Sequence, residues 1–271
     1  NEVVHSVWAM WHQMQEGDFV QTYTEKGFRG NDKEWESLCI PYGEDAKICL
    51  NGVIDRVDLC SLPGEELIKI IDYKSSDSQD LSLAKVYYGL QMQLLTYLEA
   101  AKEMVEKEHK GKEAVPAAML YYAIKEKNLD WKPESEEEYE KRVLDSMKCK
   151  GYVNEEPVII GHLDKTVVNG GELIPGQKSG VVPVAVDKKG LWKKNSGALS
   201  TKDFETLIAH TKEKMKECGK AILDGKIEAI PYVYEDNDGC TYCPYGSVCG
   251  HESKKDGVRE MKKMSDDEVW E

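Results

Sequence analysis

The chain has 271 residues, with 36 Lys and Arg against 50 Asp and Glu, a net charge of −14 and a pI near 5.0. That length suits one large domain, or one plus a small appendage. So acidic a balance excludes a chain that grips nucleic acid by bulk charge alone, because affinity for the phosphate backbone comes largely from cations. Part of the acid lies in Glu103–Glu108, Glu134–Glu140 and Asp266–Glu271, which read as solvated faces. No secretory leader or apolar membrane run is present, so the eight cysteines point to a reducing cytoplasm rather than a disulfide scaffold. No Walker-type glycine loop occurs, which excludes an ATPase motor within the chain.

The first strong elements are the apolar runs 48–60 and 67–74, joined through Leu62-Pro63-Gly64-Glu65 as a hairpin. Alternation places Ile70, Asp72 and Lys74 on one face of the second strand, and Asp55 with Val53 and Val57 on one face of the first. Paired strands lie roughly 4.8 Å apart, so one cation could bridge Asp55 and Asp72 if both face the same side. A buried carboxylate needs a partner, a metal or a proton. The bland reading is a surface hairpin with solvated charges or a plain Asp–Lys pair. The sharper one is a site holding a divalent metal and a water against a phosphodiester, which makes a metal-dependent nuclease the leading reading.

A helix follows over about 83–107, with Val86, Leu90, Leu94, Leu98 and Ala101 along its apolar stripe. Gln93 and Tyr97 are one turn apart and share a face, while Gln91 points elsewhere in a structural or solvated role. Residues 115–124 form a third strand, followed by a polar insertion. Ser135 caps a helix carrying Tyr139, Val143, Leu144 and Met147. Val181–Val186 suggests a strand near a sheet edge, given Pro183. Lys188–Lys194 reads as a charged hairpin turn in preference to a DNA contact in which Trp192 stacks on a base. Ser200 and Asp203 cap a helix over about 201–224, with a stripe from Phe204 through Leu207, Ile208, Thr211, Met215 and Cys218 to Ile222 and a stop at Gly225.

The cysteines fall into two groups. Cys39, Cys49, Cys60, Cys149 and Cys218 sit among apolar neighbours and read as small buried hydrophobes. Cys240, Cys243 and Cys249 lie close together in a turn-rich segment, a spacing that gathers thiolates around a metal. Zinc with His251 as fourth ligand is one reading of that spacing.

Three motifs stand together: Gly52-Val-Ile-Asp55-Arg56-Val-Asp58, Ile71-Asp72-Tyr73-Lys74-Ser75, and Tyr88-Gly-Leu-Gln91-Met-Gln93-Leu-Leu-Thr-Tyr97. Their pattern of Gly-x-x-Asp, Asp-x-Lys and Gln-x-x-x-Tyr resembles PD-(D/E)xK nucleases of the RecB type. The wording is closest to the AddB-type nuclease domains of helicase–nucleases. The resemblance continues in Pro116–Tyr122, Ile230-Pro231-Tyr232 and Cys240–Cys249, so it spans nearly the whole chain.

The resemblance implies a restriction-endonuclease-like α/β core, with a mixed central sheet flanked by helices, a helical C-terminal extension and a Cys-rich tail. The nuclease domain would cover residues 1–250, with its catalytic core at about 45–125 and an acidic tail over 251–271. Mg²⁺ or Mn²⁺ would sit on Asp55, Asp72 and the Tyr73 carbonyl, Lys74 would position the attacking water, and Gln93 and Tyr97 would orient the strand or support Lys74. Arg56, Lys193 and Lys194 are local candidates for phosphate contact. A [4Fe–4S] cluster on Cys240, Cys243 and Cys249 takes its fourth cysteine from far upstream in the family. The chain begins Asn1-Glu2-Val3 without that segment and reads as a C-terminal piece of a longer protein. Implied partners are linear or single-stranded DNA ends and an AddA-like helicase–nuclease subunit, in double-strand-break processing in a bacterial cytoplasm. The alternative is a catalytically silent scaffold that binds the helicase partner or DNA ends.

Overall fold

The turn at Pro63-Gly64 forms as the sequence predicts: Leu62 faces Glu65 across it, and Gly64 takes a φ of +82°, a value few other residues adopt. The computed structural model describes residues 2–31, 34–42, 46–75, 80–124, 135–235, 237–252 and 256–271. In chain order the elements begin α1 (Glu2–Gln15), β1 (Val20–Phe28), β2 (Leu38–Tyr42), β3 (Ala46–Leu50), β4 (Gly52–Leu62) and β5 (Glu65–Lys74). There follow α2 (Leu83–Tyr87), α3 (Gln93–Glu108), β6 (Glu113–Ala123), α4 (Glu136–Ser146), β7 (Lys150–Asn154), α5 (Pro157–Leu163), β8 (Val168–Asn169), β9 (Glu172–Leu173) and β10 (Ala198–Leu199). The chain ends with α6 (Thr201–Leu223), β11 (Tyr232–Tyr234), β12 (Asn237–Asp238), α7 (Gly246–Cys249), β13 (Arg259–Met261) and α8 (Asp266–Trp270). Among the described residues no helix is long and apolar enough to cross a membrane.

Two compact units emerge, the first from residues 1–81 and 92–209, the second from 82–91 and 210–271. The first is built on a six-stranded sheet in the order β1-β4-β5-β6-β7-β10. The pairs β5–β6 and β7–β10 are parallel and the rest antiparallel, so the sheet is mixed. A parallel step needs a crossover, and α3 supplies it between β5 and β6. It buries Leu94, Leu95, Leu98, Ala101, Met104 and Val105. The opposite face of the sheet packs Leu67, Ile71, Ala117 and Tyr122 with Ala9 of α1, Val143 of α4 and Ile160 of α5. At its far end α3 is tied down by Glu108, which accepts from the Trp35 indole at 2.8 Å and from the Tyr23 hydroxyl. Glu108 is therefore engaged rather than part of a purely solvated run.

In the second unit a small sheet runs β12-β11-β13, with β11–β12 antiparallel and β11–β13 parallel. Helix α8 opens on a capping box between Ser265 and Glu268. Helix α6 belongs to the first unit as far as Ala209 and to the second beyond it.

Several expectations are corrected. The run 48–60 is two strands: β3 forms its own hairpin with β2, and β4 starts at Gly52. The helix expected over 83–107 is broken, because Gly89, at φ +77°, closes α2. Its N–H donates to the Val86 carbonyl and that of Leu90 to the Lys85 carbonyl, the paired bonds of a Schellman cap. Val86 and Leu90 thus leave the stripe that Leu94, Leu98 and Ala101 keep. Val181–Val186 is not a sheet strand. The Ser179 hydroxyl takes the N–H groups of Val181 and Val182, Pro183 has none to give, and the sheet edge is β10 instead. Cys39 and Cys49, opposite each other on β2 and β3, are joined as a disulfide, and Cys218 is exposed; Cys60 and Cys149 are buried as expected. The α6 stripe holds to Met215, while Ile222 is exposed. The caps at Ser135 and Ser200 and the stop at Gly225 form as read. The polar insertion after 124 lies outside the described residues.

Behind β4 and β5 lies a buried charge cluster. Asp58, fully buried, faces Lys69 across the ladder at 2.8 Å and grips the Arg56 guanidinium with both oxygens, at 2.6 and 2.8 Å. Burial opposes the charge on Asp58, but Lys69 and Arg56 outweigh it and hold its carboxyl below the usual range. Its contribution to stability is therefore present above the ordinary Asp range and lost as pH falls through the lowered value. Asp58→Ala strands two buried cations and should cost about 3–5 kcal/mol in urea unfolding. A loss below about 1 kcal/mol would show that water already reaches the cluster.

Candidate active site

The β4–β5 ladder runs from Leu62↔Glu65 to Arg56↔Ile71. At the next step a side chain replaces the backbone: Asp55 Oδ2 accepts the Tyr73 N–H at 2.8 Å. This bond ends regular pairing and leaves Asp55 and Asp72 together at the mouth of the hairpin. Alternation then carries Ile70, Asp72 and Lys74 toward α3, as the sequence predicts.

Asp72 is 3 % exposed, and Lys74 Nζ stands 2.6 Å from its Oδ2. That contact is an ion pair without hydrogen-bond alignment, so Oδ2 is buried with no hydrogen bond. The Lys74 ammonium donates to Gln93 Oε1 at 3.1 Å, at the start of α3. Gln93 in turn donates through Nε2 to the Tyr97 hydroxyl at 2.9 Å. Four predicted residues therefore stand in one polar line, Asp72–Lys74–Gln93–Tyr97, with Asp55 beside its first member.

Neighbours missed in the sequence fix this line. The Tyr97 ring stands edge-on to Phe28, centroids 6.0 Å apart. Phe28 lies against Gly52, where an added Cβ would come within 2.7 Å of the Phe28 ring and 3.5 Å of the Tyr97 ring. The glycine of the Gly-x-x-Asp motif thus makes room for the aromatic pair that holds Tyr97. Tyr121, facing Asp72 across β5–β6, lies with its ring centre 5.1 Å from Lys74 Nζ. Nothing in the spacing marks Phe28. Tyr121 lies inside the Pro116–Tyr122 stretch but carries no motif of its own.

Charge in the site is unbalanced. Burial first, and the Asp55 carboxylate besides, raise the Asp72 carboxyl above its ordinary value against the pull of Lys74. The Tyr121 hydroxyl is pushed up to about 12 by burial and then by Asp72 and Tyr97. Two carboxylates against one lysine leave a negative pocket with a bare buried oxygen. A hard divalent cation fits that donor set. Among the described residues no three acidic, His or Cys side chains converge, so Asp55 and Asp72 would be its side-chain ligands and water would complete the shell.

Other predicted site residues lie elsewhere. Arg56 is 3 % exposed with its fork closed on Asp58, on the sheet face opposite Asp72, so it is a core residue and not a phosphate contact. Lys193 and Lys194 are exposed after a hairpin turn in which Val186 bridges Trp192. Trp192 packs against the core, which favours the plain-turn reading over base stacking. Cys240, Cys243 and Cys249 are exposed in the second unit. Burial, then Asp238, then the other two thiols raise the Cys240 thiol, but no three ligands meet among the described residues. Their chemistry suits an iron–sulfur cluster, yet their placement does not fit one. The His251 side chain is 5 % exposed, with neither ring nitrogen hydrogen-bonded and Nδ1 3.8 Å from Asp256, so it does not complete a zinc site with them.

A raised carboxyl means that ionised Asp72 costs stability. That cost is absent below the ordinary Asp value near 3.9 and grows as pH rises through the raised one. Asp72→Asn should therefore raise the Tm of the metal-free protein at neutral pH, with the gain shrinking in acid. A lower Tm at neutral pH would mean that Lys74 already neutralises the site.

The PD-(D/E)XK nuclease superfamily model matches residues 1–250 of the chain. A protein of Lachnoclostridium phytofermentans is 34 % identical over 96 % of this chain, and one of Clostridium perfringens 34 % over 98 %. A Thermoanaerobacter protein is 31 % identical over 98 %. Each is named as a subunit, the B type, of an ATP-dependent helicase/deoxyribonuclease, and the chain spans only 21–22 % of their length. Asp55, Asp72, Lys74, Gln93 and Tyr97 thus converge on one hairpin mouth inside the matched stretch, and the chain belongs to the PD-(D/E)XK nuclease superfamily.

Proposed function

We propose that the chain is a divalent-metal-dependent deoxyribonuclease domain, an exonuclease acting on linear or single-stranded DNA ends. The observation that carries this reading is the line Asp72–Lys74–Gln93–Tyr97 beside Asp55. The relatives' name supports DNA as the substrate and an AddA-like helicase–nuclease subunit as the partner, in the processing of double-strand breaks.

Asp55 and Asp72, with the Tyr73 carbonyl, would hold Mg²⁺ or Mn²⁺, which when bound supplies Lewis-acid polarisation of the phosphate and lowers the pKa of a water. The protein's own residues do the remaining work. Lys74 directs its ammonium at the charge that develops on the phosphate and keeps the attacking water in line. Gln93, accepting from Lys74, sets the direction of that ammonium. Tyr97 accepts from Gln93, so its own proton is left for a strand phosphate. The resemblance assigns Cys240, Cys243 and Cys249 to a [4Fe–4S] cluster, and no step of this chemistry passes through them.

Linear single-stranded DNA incubated with the protein and Mg²⁺ should be degraded, and a chelator should stop the reaction. Lys74→Ala and Asp72→Ala should each lower the rate by at least about 100-fold while keeping the fold. Gln93→Ala should cost roughly 10- to 100-fold. Undiminished cleavage by Lys74→Ala would sink the assignment. No cleavage by the unaltered chain would favour the silent scaffold.

A further inference from the structure

Tyr87 and Tyr88 are neighbours with opposite environments. Tyr88 is anchored in the second unit: its hydroxyl accepts the Lys262 N–H at 3.1 Å, and its ring stands edge-on to Tyr234 at 6.0 Å. Tyr87 is 44 % exposed and is the only exposed residue between 81 and 90. A large aromatic ring left in water beside so well-buried a turn calls for an explanation.

The ring is also held in place. His210 of α6 stacks on it almost face to face, with centroids 5.6 Å apart and planes 7° apart. The His210 Nε2–H donates to the Tyr87 carbonyl at 2.9 Å, so the imidazole is tied to the residue whose ring it supports. Tyr88 braces Tyr87 edge-on from the side at 5.2 Å. Most aromatic pairs in proteins are edge-on or offset and buried. A parallel pair with an exposed face and its tilt fixed by a hydrogen bond is a ready-made stacking surface. Lys85 and the lysines that follow His210 on α6 (Lys212, Lys214 and Lys216) bring positive charge to an otherwise acidic chain, although Glu213 and Glu217 pair with two of them.

We propose that the Tyr87–His210 pair is a base-stacking platform for single-stranded DNA, with a nucleobase extending the stack on the exposed Tyr87 face. Every base has a π-face, so such a platform tolerates any sequence, as a degrading enzyme requires. This inference rests on the nuclease reading above and adds a strand-holding site built from residues of the second unit.

The test is binding of labelled oligo-dT, and of an abasic oligonucleotide of equal length, in metal-free buffer, where no strand is cut. Tyr87→Ala should weaken oligo-dT binding roughly tenfold or more and leave abasic binding unchanged. Tyr87→Trp should restore it, and His210→Ala should weaken it in the same base-dependent way. Thermal unfolding of each variant separates lost stacking from lost fold. Equal affinity of the unaltered protein for both strands, an unaffected Tyr87→Ala, or equal losses on both strands would overturn the platform. No binding of either strand would overturn it too. Metal-dependent cleavage by that same protein would then leave the nuclease reading standing, and its absence would bring both down.

Discussion

One hydrogen bond sets the terms for the site, the one from Tyr73 N–H to the Asp55 carboxylate. A β-ladder pairs backbone with backbone, and carrying on past Arg56↔Ile71 would have closed the mouth of the hairpin. By giving a backbone donor to a side chain, the protein ends the ladder without leaving a buried N–H unsatisfied. The same bond fixes Asp55 beside Asp72 and leaves Asp72 Oδ2 without a hydrogen bond. The hairpin thus trades two strand hydrogen bonds for a place where charge can be used.

The two faces of that hairpin handle charge in opposite ways. On one, Asp58 is clasped by Arg56 and Lys69 and lies below its usual pKa, which makes it a structural carboxylate. On the other, Asp72 has one lysine and a nearby carboxylate, and it is raised. Residues of the same type, fourteen positions apart in the chain, are thereby assigned to scaffold and to chemistry by their neighbours alone. Functional sites keep such unresolved charge where the rest of the fold can bear it.

Local pattern makes the hairpin, the capped helices and the Asp–Lys–Gln–Tyr set legible in the sequence, because alternation and helical spacing decide which side chains share a face. Arg56 escapes that logic, since alternation says which face a residue takes but not which face meets water. The broken helix is readable in principle from Tyr88-Gly89-Leu90, but the apolar stripe over 83–107 drowns out the glycine. Val181–Val186 has a strand's composition, and what defeats it is the Ser179 hydroxyl, a contact that no period encodes. The Cys39–Cys49 pairing depends on the register of β2 on β3, which the sequence does not specify. Phe28 and the room Gly52 leaves for it are tertiary facts throughout.

Helix α3 is fastened at both ends, by Gln93 to Lys74 and by Glu108 to Trp35 and Tyr23. At 1.5 Å per residue it spans about 24 Å. It therefore behaves as a strut of fixed length: whatever moves its far anchor moves Gln93 with it. Loss of chemistry need not begin near the carboxylates. Tyr23, Trp35 and Glu108 form a remote footing for the lysine, and a search for residues that govern its aim would have to extend to the outer strand of the sheet.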